Sequence, residues 1–332
     1  MNAGGRAPRF LARASGLLPR LVIAAGLTAY ILWKSHPRAV LAAAAGADWR
    51  PMGVAVLLVL ADRTLMAYRW VLLLCTVDPA LRPPLGALLR IFFVSTFVGT
   101  FLPASVGADA VRAFSVAKLN VRGGDAVASV FMDRILGVAS LLLMALIGLP
   151  LAREVAAKTP ILLALAAAGG LCLVTMLLIF SHRTAAVAAG YIGRLPFATV
   201  RDGGQRVLES IRKYSVYPRQ LVNVLVCSMA VQVLRIVQAY FLGRGLGIDA
   251  PLTIYFAFIP MILLVMLLPV TFNGIGTSQA AFVWFFAQAG VAAAPAFALS
   301  VLFVALGIVG NLPGGVLYAV GHTRPDAEGV RS

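Results

Sequence analysis

Apolar runs of membrane-spanning length recur along the chain. Each is about 20 residues long, or a little less or more, which as a helix crosses the ~30 Å hydrocarbon core of a bilayer. Two further apolar regions, 85–118 and 252–290, are interrupted by proline and glycine. The pattern predicts an all-α integral membrane protein with about six spanning helices and two broken-helix hairpins. The predicted spans lie near 17–33, 51–77, 125–149, 160–180, 219–242 and 296–320.

The first interrupted region, 85–118, contains a segment too short to cross the bilayer comfortably. The apolar stretch between Arg90 and Pro103 is only about 20 Å long as a helix, so a hairpin that enters and leaves on the same side fits better. The second region, 252–290, begins with a run long enough to span, but Pro260 permits a kink or break. Two re-entrant hairpins in opposite halves are typical of an inverted repeat with a midplane site.

Counting basic residues in the loops favours this topology, because cytoplasmic loops are enriched in Lys and Arg. With both hairpins re-entrant and the N-terminus inside, the loops and tails hold 18 basic residues inside and 6 outside. If 85–118 crosses once and 252–290 crosses twice, the same residues divide into 9 inside and 15 outside. The count therefore predicts that both termini and the basic loop 181–219 are cytoplasmic.

Composition agrees with a membrane protein, since 61% of the residues are hydrophobic and only 12% are charged. The formal net charge is +16, but the basic residues are scattered between apolar spans. This distribution favours contact with anionic lipids over nucleic-acid binding. We predict one polytopic domain over 1–332 in a bacterial cytoplasmic membrane, with membrane lipids as partners. Neither a metal site nor a cofactor is expected.

Charged side chains within the predicted spans are candidates for function, because each costs at least ~2.5 kcal/mol at the centre of a membrane helix. Asp62 and Arg69 are seven residues apart and share a helix face. Asp133 and Arg134 are adjacent and diverge by ~100°, so we expect each to pair with another helix. Snorkelling or a purely structural pairing is the alternative. The basic residues within spans are Arg63, Arg69, Arg134 and Arg235.

A stripe of polar residues runs along the predicted span 219–242. Ser228, Gln232 and Arg235 recur at positions i, i+4 and i+7 of an otherwise apolar segment. A stripe of this kind faces a bundle interior or a wet groove rather than lipid.

The first break follows Pro103, and the chain restarts as a helix near Asp109. A helix that begins inside the membrane presents unpaired N–H groups and a positive dipole end, which attract phosphate or carboxylate. Asp109 serves either as the N-terminal cap or as part of a binding site. Arg112, one turn later, reaches either an anionic headgroup or Asp109 itself.

The second break, from Leu267 to Phe282, has the same ingredients: Leu-Pro, a short linker, glycine and a helix start. Thr277 and Ser278 are natural caps for that helix. The predicted hinge residues of the two breaks are Pro103, Gly107, Pro269, Asn273, Gly274, Gly276 and Gln279.

The segments FLPASVGADAVRAF, AVASVFMDRILGVASLLL and LPVTFNGIGTSQAAF resemble the transmembrane domain family of lysylphosphatidylglycerol synthases, whose members are called flippase-like proteins. The resemblance covers roughly 50–320. It implies an integral membrane protein that moves lipids, or lipid-linked headgroups, between leaflets. In the full-length synthases a soluble transferase domain follows. The sequence ends at Ser332 without one, so the resemblance does not imply synthase activity.

Two departures from the family pattern affect what the resemblance implies. Ala108 stands where the family usually has a second glycine before the aspartate. Ser278 and Gln279 stand where Arg-Glu is common, which argues against a mechanism that needs a carboxylate at that place. The positions that match the pattern are Asp109, Arg112, Asp133 and Arg134.

The leading hypothesis is a lipid flippase or scramblase rather than an enzyme. The alternatives are an intramembrane lipid-modifying enzyme, and a non-transporting subunit whose loop 181–219 docks a cytoplasmic lipid or glycan synthase. The sequence contains no GxxxxGK[ST] phosphate-binding loop, so gradients or the lipid's own concentration difference would supply the energy. No catalytic residue is predicted, and the predicted headgroup-binding residues are Asp109, Arg112, Asp133, Arg134, Gln232 and Arg235.

Overall fold

The computed structural model describes residues 46–320, apart from gaps at 78–82, 102–105, 120, 149, 151–165, 167–168, 176, 179–180, 195–197 and 268–276. Within the described residues the fold is all-α, as predicted, and contains no strand. The helices are α1 (Trp49–Val77), α2 (Leu85–Thr100), α3 (Val106–Ala117), α4 (Gly123–Gly148), α5 (His182–Gly193), α6 (Ala198–Lys213), α7 (Pro218–Gly245), α8 (Leu252–Leu267), α9 (Thr277–Ala287) and α10 (Ala293–Val320).

Four of the six predicted spans coincide with long helices, namely α1, α4, α7 and α10. Three of these, α4, α7 and α10, are by length and composition long and apolar enough to cross a membrane. The fourth, α1, has 29 residues and carries Asp62, Arg63 and Arg69 in its middle. The predicted span 17–33 and most of 160–180 lie outside the described residues, although 169–175 is helical.

The first predicted hairpin is a pair of short helices. The 16-residue α2 ends at Thr100, the 12-residue α3 begins at Val106, and the two pack together so closely that a Cβ on Gly99 would overlap Ala108. The helix thus restarts near Asp109, as expected, with Asp109 in its first turn. Gly107 lies in the first turn of α3, and Pro103 lies outside the described residues.

The second predicted hairpin has the same form, with α8 of 16 residues and α9 of 11 residues in contact. Pro260 does not break α8, which runs through it. The hinge residues Pro269, Asn273, Gly274 and Gly276 fall outside the described residues.

Helices α1–α4 and α7–α10 form two repeats of one architecture. Their lengths are 29, 16, 12 and 26 residues in the first and 28, 16, 11 and 28 in the second. The packing repeats as well, because α2 lies on α10 as α8 lies on α4, and α1 contacts α10 as α7 contacts α4. In the α2–α10 contact and in the α8–α4 contact, a glycine lies directly against the backbone of the other helix. A Cβ on Gly314 would overlap the carbonyl oxygen of Phe93, and a Cβ on Gly148 would overlap the carbonyl oxygen of Phe256.

The two repeats have opposite directions, because α1 and α7 pack antiparallel. The start of α1 meets the end of α7, where the N–H of Asp48 donates to the carbonyl oxygen of Gly245 at 3.0 Å. Near the other end of α1, the hydroxyl of Tyr214, just before α7, donates to the carbonyl oxygen of Leu73 at 3.1 Å. A two-fold axis that relates antiparallel helices is perpendicular to them, so in spanning helices it lies in the membrane plane. The fold is an inverted repeat.

One pair of contacts shows the two-fold relation at the level of single residues. Arg63 on α1 donates through Nη2 to the carbonyl oxygen of Gly307 on α10 at 3.2 Å. Gln232 on α7 donates through Nε2 to the carbonyl oxygen of Gly137 on α4 at 3.4 Å. Both members of the second pair lie about 170 residues from their counterparts. The two repeats therefore place equivalent residues in equivalent contacts at this level of the bundle.

Helices α5 and α6 lie between the repeats in the chain; α6 packs against the start of α4, and α5 packs against α6. Lys213, at the end of α6, donates to the buried carboxylate of Asp125 at 2.9 Å. The following Tyr214 is completely buried, and burial, with the nearby carboxylate of Asp125, raises the pKa of its hydroxyl well above the usual range. The loop 181–219 is thus an ordered pair of helices over its described residues, anchored to α4 and α1.

Candidate substrate-binding site: two charged clusters in the bundle

Two clusters of buried charged side chains lie where the repeats meet. The Asp133 cluster consists of Asp133 on α4, Arg69 on α1 and Arg112 on α3. The Asp62 cluster consists of Asp62 and Arg63 on α1 and Arg235 on α7. Asp62 and Arg69 are seven residues apart on α1, so the clusters are centred ~10 Å apart along that helix.

In the Asp133 cluster, one carboxylate is shared between two guanidinium groups. Arg69 donates through Nε to Oδ1 of Asp133 at 2.7 Å, and Nη1 of Arg112 lies 3.5 Å from Oδ2. Arg69 also donates through Nη1 to the Ser228 hydroxyl at 3.1 Å. All three charged side chains are at most 4% exposed. The cluster therefore joins α1, α3, α4 and α7 in the interior of the bundle.

Two aromatic rings hold Arg112 in place. Its guanidinium carbon lies 4.4 Å from the ring centroid of Phe92 and 5.2 Å from that of Trp70. Its Nε is 3.4 Å from the hydroxyl of Ser95. Phe92 and Ser95 belong to α2 and Arg112 to α3, so this arginine links the two helices that flank the first break.

A third ion pair lies at the more exposed edge of the same region. Arg134 donates to both carboxylate oxygens of Asp109, at 2.7 and 3.0 Å. The side chain of Arg134 is 48% exposed and that of Asp109 is 18% exposed. Asp109 is thus bonded to α4 rather than capping α3, and Arg112 is paired with Asp133 rather than with Asp109. The prediction that Asp133 and Arg134 each pair with another helix is confirmed.

In the Asp62 cluster, the carboxylate is again shared. Arg63 donates through Nη1 to Oδ2 at 3.0 Å, and Arg235 donates through Nε to Oδ1 at 3.3 Å. Both arginines also lie against the thioether of Met66, with Nη1 of Arg63 at 3.4 Å and Nη2 of Arg235 at 3.2 Å from Sδ. Asp62 is fully buried, whereas the Arg63 and Arg235 side chains are 14% and 24% exposed.

The polar stripe on α7 faces the interior, as the sequence predicts. Ser228 contacts Arg69, Arg235 contacts Asp62, and Gln232 lies between them. Gln232 donates through Nε2 to the hydroxyl of Ser140 at 3.1 Å. Its Oε1 is buried and has no hydrogen-bond partner among the described residues.

The family model described as the lysylphosphatidylglycerol synthase TM region matches residues 17–314. The chain belongs to this family. No curated protein and no solved structure matches it. Membership of this family indicates a membrane location and a lipid-related function.

Inside the helix bundle of this family member, basic side chains outnumber acidic ones in both clusters. Each cluster contains two arginines and a single aspartate, so each has one formal positive charge in excess over its described residues. Unbalanced charge in a low-dielectric interior is costly. An anion that binds near either cluster removes that cost, so the arrangement favours a phosphate or carboxylate ligand.

Sequence patterns identified some of these residues and missed others. Of the predicted site residues, the structure brings Arg112 and Asp133 into one cluster, Arg235 into the other and Gln232 between them. Gln279 lies in the opposite repeat, where its Oε1 accepts a hydrogen bond from Ser278 at 2.9 Å. Sequence reasoning did not assign the residues that hold the charged ones, although Phe92 and Ser95 could have been found as one helix face of α2. The missed residues are Met66, Trp70, Phe92, Ser95 and Ser140.

Proposed function

We propose that this protein is a lipid flippase or scramblase that moves an anionic or polyprenyl-phosphate-linked lipid between the leaflets of a bacterial cytoplasmic membrane. The observation that carries the proposal is the excess positive charge of the Asp133 cluster, held beside a break in an apolar bundle. A charge of this kind is expensive unless a ligand uses it. The tails of the lipid remain in the bilayer while the headgroup passes along the bundle.

The charged groups lower the barrier to headgroup crossing by replacing water. Moving a phosphate into hydrocarbon costs its hydration, and charge-assisted hydrogen bonds from arginine restore part of that stabilisation. The half-exposed Asp109–Arg134 pair is the first contact, since Arg134 can exchange the carboxylate for a headgroup phosphate. Arg112 comes next, held ready by Phe92 and Trp70.

The distribution of basic residues supports an orientation with both termini and the α5–α6 segment on the cytoplasmic side. In this orientation the first hairpin opens to the cytoplasm and the second to the outside. The driving force is an ion gradient or the lipid's own concentration difference. The protein acts as a transporter and not as an enzyme.

A second candidate function is supported by the surface of α5. Val187 and Tyr191 are 60% and 67% exposed there, beside basic residues of α6. This surface suits either anionic lipid headgroups or a cytoplasmic lipid or glycan synthase, in which case the protein is a membrane subunit. Loss of a co-purifying protein on Tyr191→Ser, with lipid movement in liposomes absent, would support the subunit function.

The test of the main proposal is headgroup translocation by the purified protein in liposomes. Labelled phosphatidylglycerol, phosphatidylethanolamine and a polyprenyl phosphate are compared, with and without an imposed ion gradient. Wild type is expected to move one anionic class, and Arg112→Gln to lose most of that activity while remaining folded. The matched control is Arg244→Gln, which removes an exposed guanidinium paired with the fully exposed Asp249. Absence of protein-dependent movement under every condition contradicts transport.

A further inference from the structure

The Asp62 cluster lies at the centre of the inverted repeat. Arg63 is the middle residue of α1, and its counterpart Gln232 is close to the middle of α7. The Asp62–Arg235 contact joins these same turns of the two antiparallel helices. The two-fold axis therefore passes through this cluster. In spanning helices this position lies near the bilayer midplane, at equal distances from the two membrane surfaces.

The charge of Arg63 is not needed for packing the repeats together. Its donation to the carbonyl oxygen of Gly307 is reproduced in the other repeat by Gln232, which donates to Gly137 without any charge. A single arginine is also enough to neutralise Asp62. The second guanidinium in this cluster thus has no role that the described helix contacts explain.

Both guanidinium groups of the cluster retain hydrogen-bonding capacity. Each directs one contact to Sδ of Met66, which is a weak acceptor. Nε of Arg63 is buried and has no hydrogen-bond partner among the described residues. Arginine carries five N–H donors, so a ligand with several oxygen acceptors would satisfy groups that are poorly satisfied here.

The cluster is also more open than its neighbour. The Arg235 side chain is 24% exposed, against 4% for both arginines of the Asp133 cluster. On its other side Arg63 packs against α10 near Gly310. The next residue, Asn311, donates to the Thr100 hydroxyl at the end of α2 at 2.8 Å, and its Oδ1 is buried without a partner among the described residues. Polar groups thus extend from the cluster to the first break.

We propose that the Asp62 cluster is a second anion-binding site, distinct from the Asp133 cluster, and that it binds the phosphate of a lipid headgroup at the midplane. Arg63 and Arg235 are its ligands, and Asp62 positions both. The proposal deepens the proposed function, on which it rests for the lipid. A headgroup that leaves the Asp133 cluster reaches a second positive site ~10 Å further along α1.

The test measures binding rather than transport. The purified full chain in a non-ionic detergent is titrated with dioctanoyl phosphatidylglycerol, and bound lipid is counted by native mass spectrometry. Wild type is expected to bind two lipids, and Arg235→Gln and Arg112→Gln one each, with affinity at the lost site reduced about tenfold or more. Either substitution leaves a neutral Arg–Asp pair in its cluster, so folding is retained. Arg244→Gln, on the same helix as Arg235, is the control that keeps both sites.

Arg63→Gln provides an independent variant, because glutamine already performs this packing role at position 232. It is expected to lose the same site as Arg235→Gln, and it decides the question if Arg235→Gln does not fold. The second site is contradicted if the folded variant binds the lipid with the stoichiometry and affinity of wild type. It is also contradicted if the wild-type protein binds one lipid or none.

Two further ligands distinguish the source of the anion. Glycerophosphoglycerol, which lacks chains, and inorganic phosphate are titrated under the same conditions. Binding of either that depends on Arg235 supports the anion site, and binding of inorganic phosphate in place of the lipid identifies a free anion as the ligand. Wild type that binds two lipids but moves none in liposomes contradicts the proposed transport while leaving this site intact.

Discussion

The two repeats share their helices and their packing but fill equivalent positions with opposite chemistry. In the first repeat, Arg112 of α3 faces Asp133 of α4 in a buried ion pair. About 170 residues later, Phe282 of α9 faces Phe303 of α10, with ring centroids 5.5 Å apart. The same helix pair is therefore held by charge in one repeat and by aromatic packing in the other.

This difference separates what the scaffold needs from what function needs. The second repeat shows that rings suffice to pack the short helix on the long one, and rings do so without a desolvation cost. Its core is rich in buried aromatic side chains. Packing of this helix pair therefore does not require buried ions, and this supports the proposed binding site in the first repeat. Among the described residues of the second repeat, the buried aromatic side chains are Tyr255, Phe258, Phe282, Phe285 and Phe286.

The largest effect is expected from Asp133→Asn. This change leaves Arg69 and Arg112 buried as two like charges without a counter-ion, so it should cost about 3–5 kcal/mol and prevent normal folding. Yield and thermal melting in detergent measure it. The matched change in the other repeat is Phe303→Leu, which should cost less than about 1.5 kcal/mol. Equal melting temperatures for the two variants contradict the contrast between the repeats.

A large functional effect with little structural effect is expected from Arg112→Gln. The remaining Arg69–Asp133 pair is neutral and keeps its 2.7 Å hydrogen bond, so the fold survives. Translocation of the anionic lipid should fall about tenfold or more, because the excess charge is lost. Liposome assays measure the rate, and Phe282→Leu in the second repeat should leave it within about twofold. A variant rate equal to wild type assigns Arg112 a structural role only.

Asp109→Asn is expected to act more weakly. The Asp109–Arg134 pair is partly exposed, and exposed ion pairs contribute about 0–1 kcal/mol, so melting should hardly change. Translocation should fall by only a few-fold, because Arg134 remains available to the headgroup. Initial rates at several ionic strengths check this, since a contact near the surface is screened by salt. A complete loss of transport would instead make the carboxylate itself essential.

The inverted relation of the repeats predicts opposite labelling of equivalent turns. Lys118 follows α3 and Gln288 follows α9, and both are exposed. After replacement of the native cysteines, Lys118→Cys should react with an impermeant reagent from the cytoplasmic side, together with Arg201→Cys. Gln288→Cys should react from the outside only. If both turns are labelled from the same side, the two hairpins are not both re-entrant. The cysteine substitutions themselves are expected to change neither the stability nor the transport rate.

The helices themselves could be predicted from the sequence because the bilayer imposes their length. Apolar runs located α4, α7 and α10, and proline with glycine located both breaks. The role of Asp109 could not be predicted, because its side chain has the chemistry of a cap, yet its carboxylate is bonded to Arg134, 25 residues away. The tertiary contact with Arg134, and not the local preference of aspartate for a helix cap, determines the partner of Asp109.

The pairing of the buried charges could not be predicted from one sequence. Arg69 contacts Asp133 and Ser228, at separations of 64 and 159 residues, and no local pattern specifies such partners. The two broken hairpins in opposite halves predicted an inverted repeat, but the match between side chains is weak, because Arg112 and Asp133 correspond to Phe282 and Phe303. Helix lengths and glycine contacts preserve the two-fold relation where side-chain chemistry does not.

The long separations within the clusters also determine the order of events during synthesis. Arg69 enters the membrane with α1 but meets Asp133 only after 64 more residues, which takes roughly 3–13 s at ordinary rates of translation. Arg235 reaches Asp62 after 173 residues, roughly 9–35 s. During that interval Asp62 has Arg63 as a partner on its own helix, whereas Arg69 has no carboxylate on α1 within hydrogen-bonding range. Arg69 therefore gains its counter-ion only when α4 arrives, and Arg235 joins Asp62 before α8, α9 and α10 have been synthesised.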